Sequence, residues 1–257
     1  MSPGRAGRWE APMHAEQPSR RRFLTAEWRH LAMLNYPVEG EVLEPFTPAG
    51  TVLDTYQGKS YVSIVGFLFL KTRVLGLAIP RHRDFEELNL RFYVRRFADG
   101  DWRRGVVFIK ELVPKRAIAA VARACFNENY VAVPMRHRLE MTPLGSLAAL
   151  AYEWQFNGRW NTLKARIAGD PRAPAAGSLE EFITEHYWGY ARTKDGGCVE
   201  YQVEHPRWRV WPATEASLDC DGTALYGAAF APVLGVSPAS AFVAEGSEVT
   251  VFQGTRL

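Results

Sequence analysis

The sequence predicts an α+β domain in which a large, mostly antiparallel sheet carries a few helices. Three observations predict it. Turn residues such as Gln57-Gly58, Asp99-Gly100 and Asn157-Gly158 recur between β-rich runs, Leu88–Val94 alternates strictly between apolar and polar residues, and helical spacing is confined to short stretches.

Met1–Ser19 mixes Pro, Gly, Arg and acids without an apolar stretch, so residues 1–22 are expected as a disordered extension and residues 23–257 as a single domain. Phe23, Leu24, Trp28, Leu31 and Leu34 then fall at mostly helical spacing, which predicts a helix ended by Pro37, with a further turn over Val42–Phe46. Thr51–Tyr56 and Tyr61–Leu70 are expected as two strands joined at Gln57-Gly58. In the next strand Leu88, Leu90, Phe92 and Val94 point one way and Asn89, Arg91, Tyr93 and Arg95 the other. Asp99-Gly100 turns the chain through a longish loop into a return strand, Gly105–Leu112, which sets Lys110 on the face of Val106 and Phe108.

Pro114 suits the first turn of a helix whose buried stripe is Ile118, Val121, Ala122 and Cys125. Tyr130–Leu139 reads as a strand, and Ala148–Phe156 passes through Asn157-Gly158 into Asn161–Ile167 as a hairpin. Asp170–Gly177 is a surface loop, and Ser178-Leu179-Glu180-Glu181 is a capping box that starts a short helix. Tyr187–Arg192 and Cys198–His205 flank a turn at Lys194-Asp195-Gly196-Gly197, Pro206 closes the second of these strands, and Val249–Phe252 is the last strand.

Composition excludes several classes of function. The 31 basic residues exceed the 28 acidic ones by only 3, and they lie in separated groups at Arg20–Arg22, Arg81–Arg83 and Arg136–Arg138, so no nucleic-acid footprint is expected. The most apolar run, Val62–Leu70, is too short to span a bilayer and includes Ser63 and Gly66; with no leader-like stretch, a cytoplasmic location and no membrane partner are expected. Cys125, Cys198 and Cys220 show no C-x-x-C spacing, which argues against a disulfide framework and against a zinc site. Histidine pairs at ligand spacing, glycine-rich phosphate loops and the G-x-S-x-G elbow are also missing, so no metal or cofactor is predicted. Oligomeric state is not legible from the sequence.

Several segments together resemble the YqjF-like family, a domain of unknown function. They are Trp28-Arg29-His30-Leu31, Phe85 to Val94, Gly105 to Glu111, Asn127 to Tyr130 with Pro134 to His137, Glu185 to Tyr190, Val203 to Trp208, and Ala244 to Val249. That family is similar in fold to acetoacetate decarboxylase, which implies a curved antiparallel sheet approaching a closed cone or barrel around a buried pocket, with helices outside. The decarboxylase uses a Schiff-base lysine that follows a Tyr-Pro step. The corresponding stretch here is Tyr130-Val131-Ala132-Val133-Pro134, which carries no amine, so decarboxylation by that route is not expected.

Arg91 carries the sharpest expectation: on a strand facing such a pocket with Asn89, Glu87 and Tyr93, a guanidinium can grip a substrate carboxylate through two parallel hydrogen bonds. The competing expectation pairs it structurally with Glu87 or Glu185. Lys110, His205 and Glu185 form the candidate catalytic set, the lysine as a desolvated amine and the histidine as an acid or base beside a carboxylate. His186 shares an apolar stripe with Phe182 and Ile183, and Trp208 and Trp211 read as packing residues. Two classes stay open: an enzyme acting on a small carbonyl or carboxylate compound, and a non-catalytic protein that binds such a molecule.

Overall fold

The structure, a computed structural model, describes residues 20–120 and 129–257. Fourteen strands form one sheet: β1 (Arg22–Val38), β2 (Val52–Leu53), β3 (Ser60–Val74), β4 (Phe85–Ala98), β5 (Asp101–Val113), β6 (Tyr130–Ala132), β7 (Met135–Met141), β8 (Leu147–Phe156), β9 (Arg159–Ile167), β10 (Trp188–Arg192), β11 (Cys198–Glu204), β12 (Val210–Asp219), β13 (Ser240–Phe252) and β14 (Thr255–Arg256). They lie in the order β14-β11-β10-β5-β4-β3-β1-β13-β12-β9-β8-β7, with β2 beside β4 and β6 beside β5. Pairing is antiparallel except between β10 and β5 and between β5 and β6.

A second pairing of β11, with β13 through Val203↔Val251 and Glu204↔Thr250, closes β11, β10, β5, β4, β3, β1 and β13 into a ring. Strands β12, β9, β8 and β7 continue from β13 as a wing that packs over the ring's outer surface, where Tyr152 and Trp154 of β8 join Leu34, Ile64, Leu90 and Phe92 in one apolar cluster. The approach is close: a Cβ on Gly66 of β3 would lie 2.6 Å from the Tyr152 ring. Leu31, Met33, Val65, Phe67, Phe69 and Phe85 cluster on the inner face instead. The antiparallel, helix-poor and ring-closing sheet is the architecture the sequence and its family resemblance predict. No helix among the described residues is long and apolar enough to cross a membrane.

The first predicted helix is a correction: Phe23–Leu34 lies within strand β1. The cause is a β-bulge. His30 has φ 56°, and the β1–β3 register slips between Arg29 and Ala32. An extra residue reverses the alternation of a strand, so Trp28 and Leu31, three apart, both face inward and mimic a helical stripe. Beyond the bulge the period of two is plain, with Leu31 and Met33 inside and Ala32, Leu34 and Tyr36 outside.

Other differences are local. The strand expected over Thr51–Tyr56 shrinks to β2, which pairs with β4 rather than β3, although the Gln57-Gly58 turn is present beneath a Tyr56↔Lys59 bridge. The longish loop at Asp99-Gly100 is a two-residue turn; φ values of 52° and 83° match the twist of the flanking strands and extend both beyond the predicted ends. Pro134 splits Tyr130–Leu139 into β6 and β7, because proline has no N–H for the ladder. Residues 116–120 are helical as expected, and the rest of that stripe, Val121, Ala122 and Cys125, lies outside the described residues. Ser178 caps the helix Leu179–Thr184 by accepting from Glu181 N at 3.2 Å, while the Glu181 carboxylate accepts from Gly177 N. Strand β12, which contains Pro212, and the short helices Gly222–Tyr226 and Ala231–Leu234 were not legible, and β13 begins at Ser240, well before Val249.

Gly246 sits opposite the β1 bulge, paired with Arg29 at φ 79°, and a Cβ there would fall 1.9 Å from the Trp28 carbonyl oxygen. Gly246→Ala is therefore expected to destabilise the fold by about 3 kcal/mol, from left-handed backbone strain plus a clash with main chain. Urea unfolding measures this; a loss below about 1 kcal/mol would show that the bulge is not held there.

Candidate functional site

Closing the ring leaves an interior cavity of about 210 Å³. Its wall is mostly aromatic and aliphatic, with a polar group concentrated on adjacent strands: Glu87, Asn89 and Arg91 of β4, Glu111 of β5 and Tyr130 of β6. These residues meet because of strand register. Glu87, Asn89 and Arg91 follow one another at the period of two on the inner face of β4; Asn89 pairs with Glu111, and Glu111 pairs in parallel with Tyr130.

Glu111 reaches this face through a second bulge. Leu90 pairs with Lys110 but Arg91 with Phe108, so Ile109 is the extra residue and the alternation of β5 reverses. Val106 and Phe108 line the cavity, and beyond the bulge Glu111 does so in place of Lys110. The expected face of Lys110 is thereby corrected. Its ammonium donates to the Leu225 carbonyl and lies about 6 Å from the Phe156 and Tyr226 rings, in the outer apolar layer. Burial lowers its pKa, but in a place remote from the cavity lining.

The electrostatics of the polar group are set by exclusion of water. Burial pushes the Glu87 carboxyl up to about 7, although Asn89 Nδ2 donates to it at 3.2 Å, the Tyr130 hydroxyl donates at 3.1 Å and the Arg91 charge opposes the rise. The Tyr130 phenol is shared with Glu111 and held well above its ordinary range, first by burial and then by these two carboxyls. Arg91 is 8% exposed. Its Nη2 reaches the Met33 sulfur at 3.8 Å, its Nε has no acceptor, and no carboxylate lies within ion-pair distance among the described residues. The structural pairing of Arg91 with Glu87 or Glu185 is thus not formed there.

Tyr93 lies on the same face of β4, but behind the lining: its hydroxyl contacts Ser63 Oγ at 2.6 Å and its ring packs on His186 at 4.7 Å. His186 is buried against Asp54, with Nε2 to Oδ2 at 3.2 Å, and desolvation lowers its pKa to about 4 despite that carboxylate. His205 lines the cavity, stacked on Trp208 at 4.0 Å. Its Nδ1 is 2.9 Å from the Pro206 carbonyl, which can only accept, so the proton sits on Nδ1 and Nε2 is left as an acceptor. Burial lowers its pKa as well. Glu185 faces an outer cleft instead, accepting from Tyr187 at 2.6 Å and pairing with Arg207 at 3.3 Å, while its neighbours Thr184 and His186 line the cavity.

Glu111 and Tyr130 were missed as site residues because only the bulge and the parallel β5–β6 pairing bring them inward. Trp28 was missed as part of the aromatic wall because β1 was read as a helix, and Phe67, Phe69 and Phe85 because only ring closure makes their face of β3 and β4 a cavity wall.

The raised pKa of Glu87 fixes a sign. The unfolded chain releases this proton near pH 4.5 and the folded chain keeps it to about pH 7, so folding stability contributed by the neutral acid is lost as pH rises across that window. Urea unfolding at pH 5 and pH 8 is expected to show Glu87→Gln gaining on the wild type, by up to about 3 kcal/mol at the higher pH. Parallel pH profiles would mean the carboxyl is not desolvated.

The DUF2071 family model, described as an uncharacterized conserved protein, matches residues 25–248. The chain is 25% identical over 182 residues to the uncharacterized protein YqjF of Bacillus subtilis (strain 168), covering 70% of this chain and 72% of that one. Among solved structures it is similar to the enduracididine biosynthesis enzyme MppR complexed with pyruvate, with TM-score 0.65, 12% identity and coverage of 96% of this chain and 94% of that one. It is also similar to the acetoacetate decarboxylase of Legionella pneumophila, with TM-score 0.64, 12% identity and coverage of 97% and 93%. At these identities the structural likeness concerns the fold.

Proposed function

The chain belongs to the DUF2071 family, and from that premise we propose that its cavity binds a small carboxylate through Arg91 and presents to it the titratable carboxyl of Glu87. The observation that carries this reading is the Arg91 guanidinium, buried in a largely apolar cavity with no protein carboxylate in ion-pair contact among the described residues. A buried charge without a partner is costly, and a carboxylate ligand accepting two parallel N–H bonds offsets that cost with the geometry arginine favours.

Glu87 stands four residues from Arg91, two positions along the same face, so a carbonyl or hydroxyl on the bound molecule that reaches past Asn89 meets a group able to give or take a proton near neutral pH. Tyr130, hydrogen-bonded to that carboxyl, is the route by which Glu111 shares the charge. This reading uses no imine, since Lys110 lies in the outer layer and Tyr130 leads into an amine-free stretch. The pyruvate complex of the structurally similar MppR supports a small carboxylate in a cavity of this fold.

Arg91→Met replaces the buried guanidinium with an unbranched apolar chain. The ligand-free variant is expected to be more stable than the wild type by about 1–3 kcal/mol, and to lose the rise in Tm that acetate, pyruvate or phenylacetate gives the wild type while the matching amides give none. Carboxylates without effect on the wild type, or a variant destabilised by 3 kcal/mol or more (the order expected when a buried pair is broken), would assign Arg91 a purely structural role.

A further inference from the structure

We infer that the carboxylate taken by this cavity carries an aromatic ring, making the ligand an aryl-substituted small acid rather than a pyruvate-sized or chain acid; the inference rests on the carboxylate reading above. The cavity lining has two chemically distinct regions. In one, Glu87, Asn89 and Arg91 of β4 and Glu111 of β5 are grouped by strand register; in the other, aromatic planes converge around Trp28. The Trp28 ring lies 5.5 Å from Phe67, 5.7 Å from Phe69 and 6.3 Å from Trp208, edge-on to each, and Phe85 stacks on Phe69 at 4.7 Å.

The two regions adjoin. In the β3–β4 register Phe67 pairs with Glu87 and Phe69 with Phe85, so the aromatic wall begins where the acidic row ends. Across the cavity, His205 stacks on Trp208 and lies within the field of the Arg91 charge. A ligand anchored at Arg91 therefore extends between flat, rigid walls set for offset and edge-on ring contacts.

Size points the same way. A cavity of about 150 Å³ lined by apolar side chains takes benzene. The cavity here, about 210 Å³, has room for one ring with a short acid-bearing arm, whereas pyruvate would leave most of the aromatic region without contacts. Burying a ring in place of that unfilled space is expected to tighten binding about 10-fold or more.

Isothermal titration of the full chain with phenylacetate, phenylpyruvate, pyruvate, hexanoate and phenylacetamide tests this. Phenylacetate or phenylpyruvate binding at least about 10-fold more tightly than pyruvate and hexanoate, with phenylacetamide weak, is the expected result. Equal or tighter binding of pyruvate or hexanoate overturns the ring assignment while leaving carboxylate binding in place. Binding of phenylacetamide as tight as phenylacetate, or of none of the acids, overturns the carboxylate reading itself. Trp28→Leu gives a second readout: it should weaken the aryl acids and leave any pyruvate affinity unchanged, and equal loss for all acids counts against the aromatic region.

Discussion

The β11–β13 pairing, two residue pairs long, is the constraint on which the interior depends. Without it the sheet would be an open ladder whose inner face needed covering by another layer. With it, the inner faces of the ring strands look at one another across a space that their side chains do not fill. Outside, the wing supplies the second layer, and the contact of Tyr152 with Gly66 shows how tightly that layer seats. One face of the sheet is therefore packed solid and the other is hollow.

Into that hollow the sheet holds polar groups that water would otherwise solvate. Burial raises the Glu87 carboxyl against two hydrogen bonds and a nearby guanidinium, all of which favour its ionised form, so desolvation is the larger effect. Arg91 has no carboxylate in ion-pair contact among the described residues. Burying such groups costs free energy, and strands fix them more rigidly than loops would. His186 is buried too, with its Nε2 on Asp54 and the rings of Tyr93 and Phe182 packed against it, and it forms part of the cavity wall.

What was legible in the sequence follows from alternation. Leu88–Val94 is a regular strand, and its pattern placed Asn89, Arg91 and Tyr93 on the inward face correctly. Two bulges hid the rest. At His30 an extra residue made a strand look helical, and at Ile109 another exchanged Lys110 for Glu111 at the cavity wall. In a single sequence a bulge shows only as a break in alternation, which local patterning does not distinguish from a helical turn or from a strand end. Likewise the parallel β5–β6 pairing that delivers Tyr130 is a long-range event, and local patterning carries no information about it.

A crystal structure of the protein grown with phenylacetate examines the carboxylate at Arg91 most directly. Density for the acid is expected with its oxygens about 3 Å from the guanidinium nitrogens and its ring against Trp28 and Phe67. A guanidinium bonded instead to a protein carboxylate, with the acid absent from the cavity, would contradict the role assigned to Arg91.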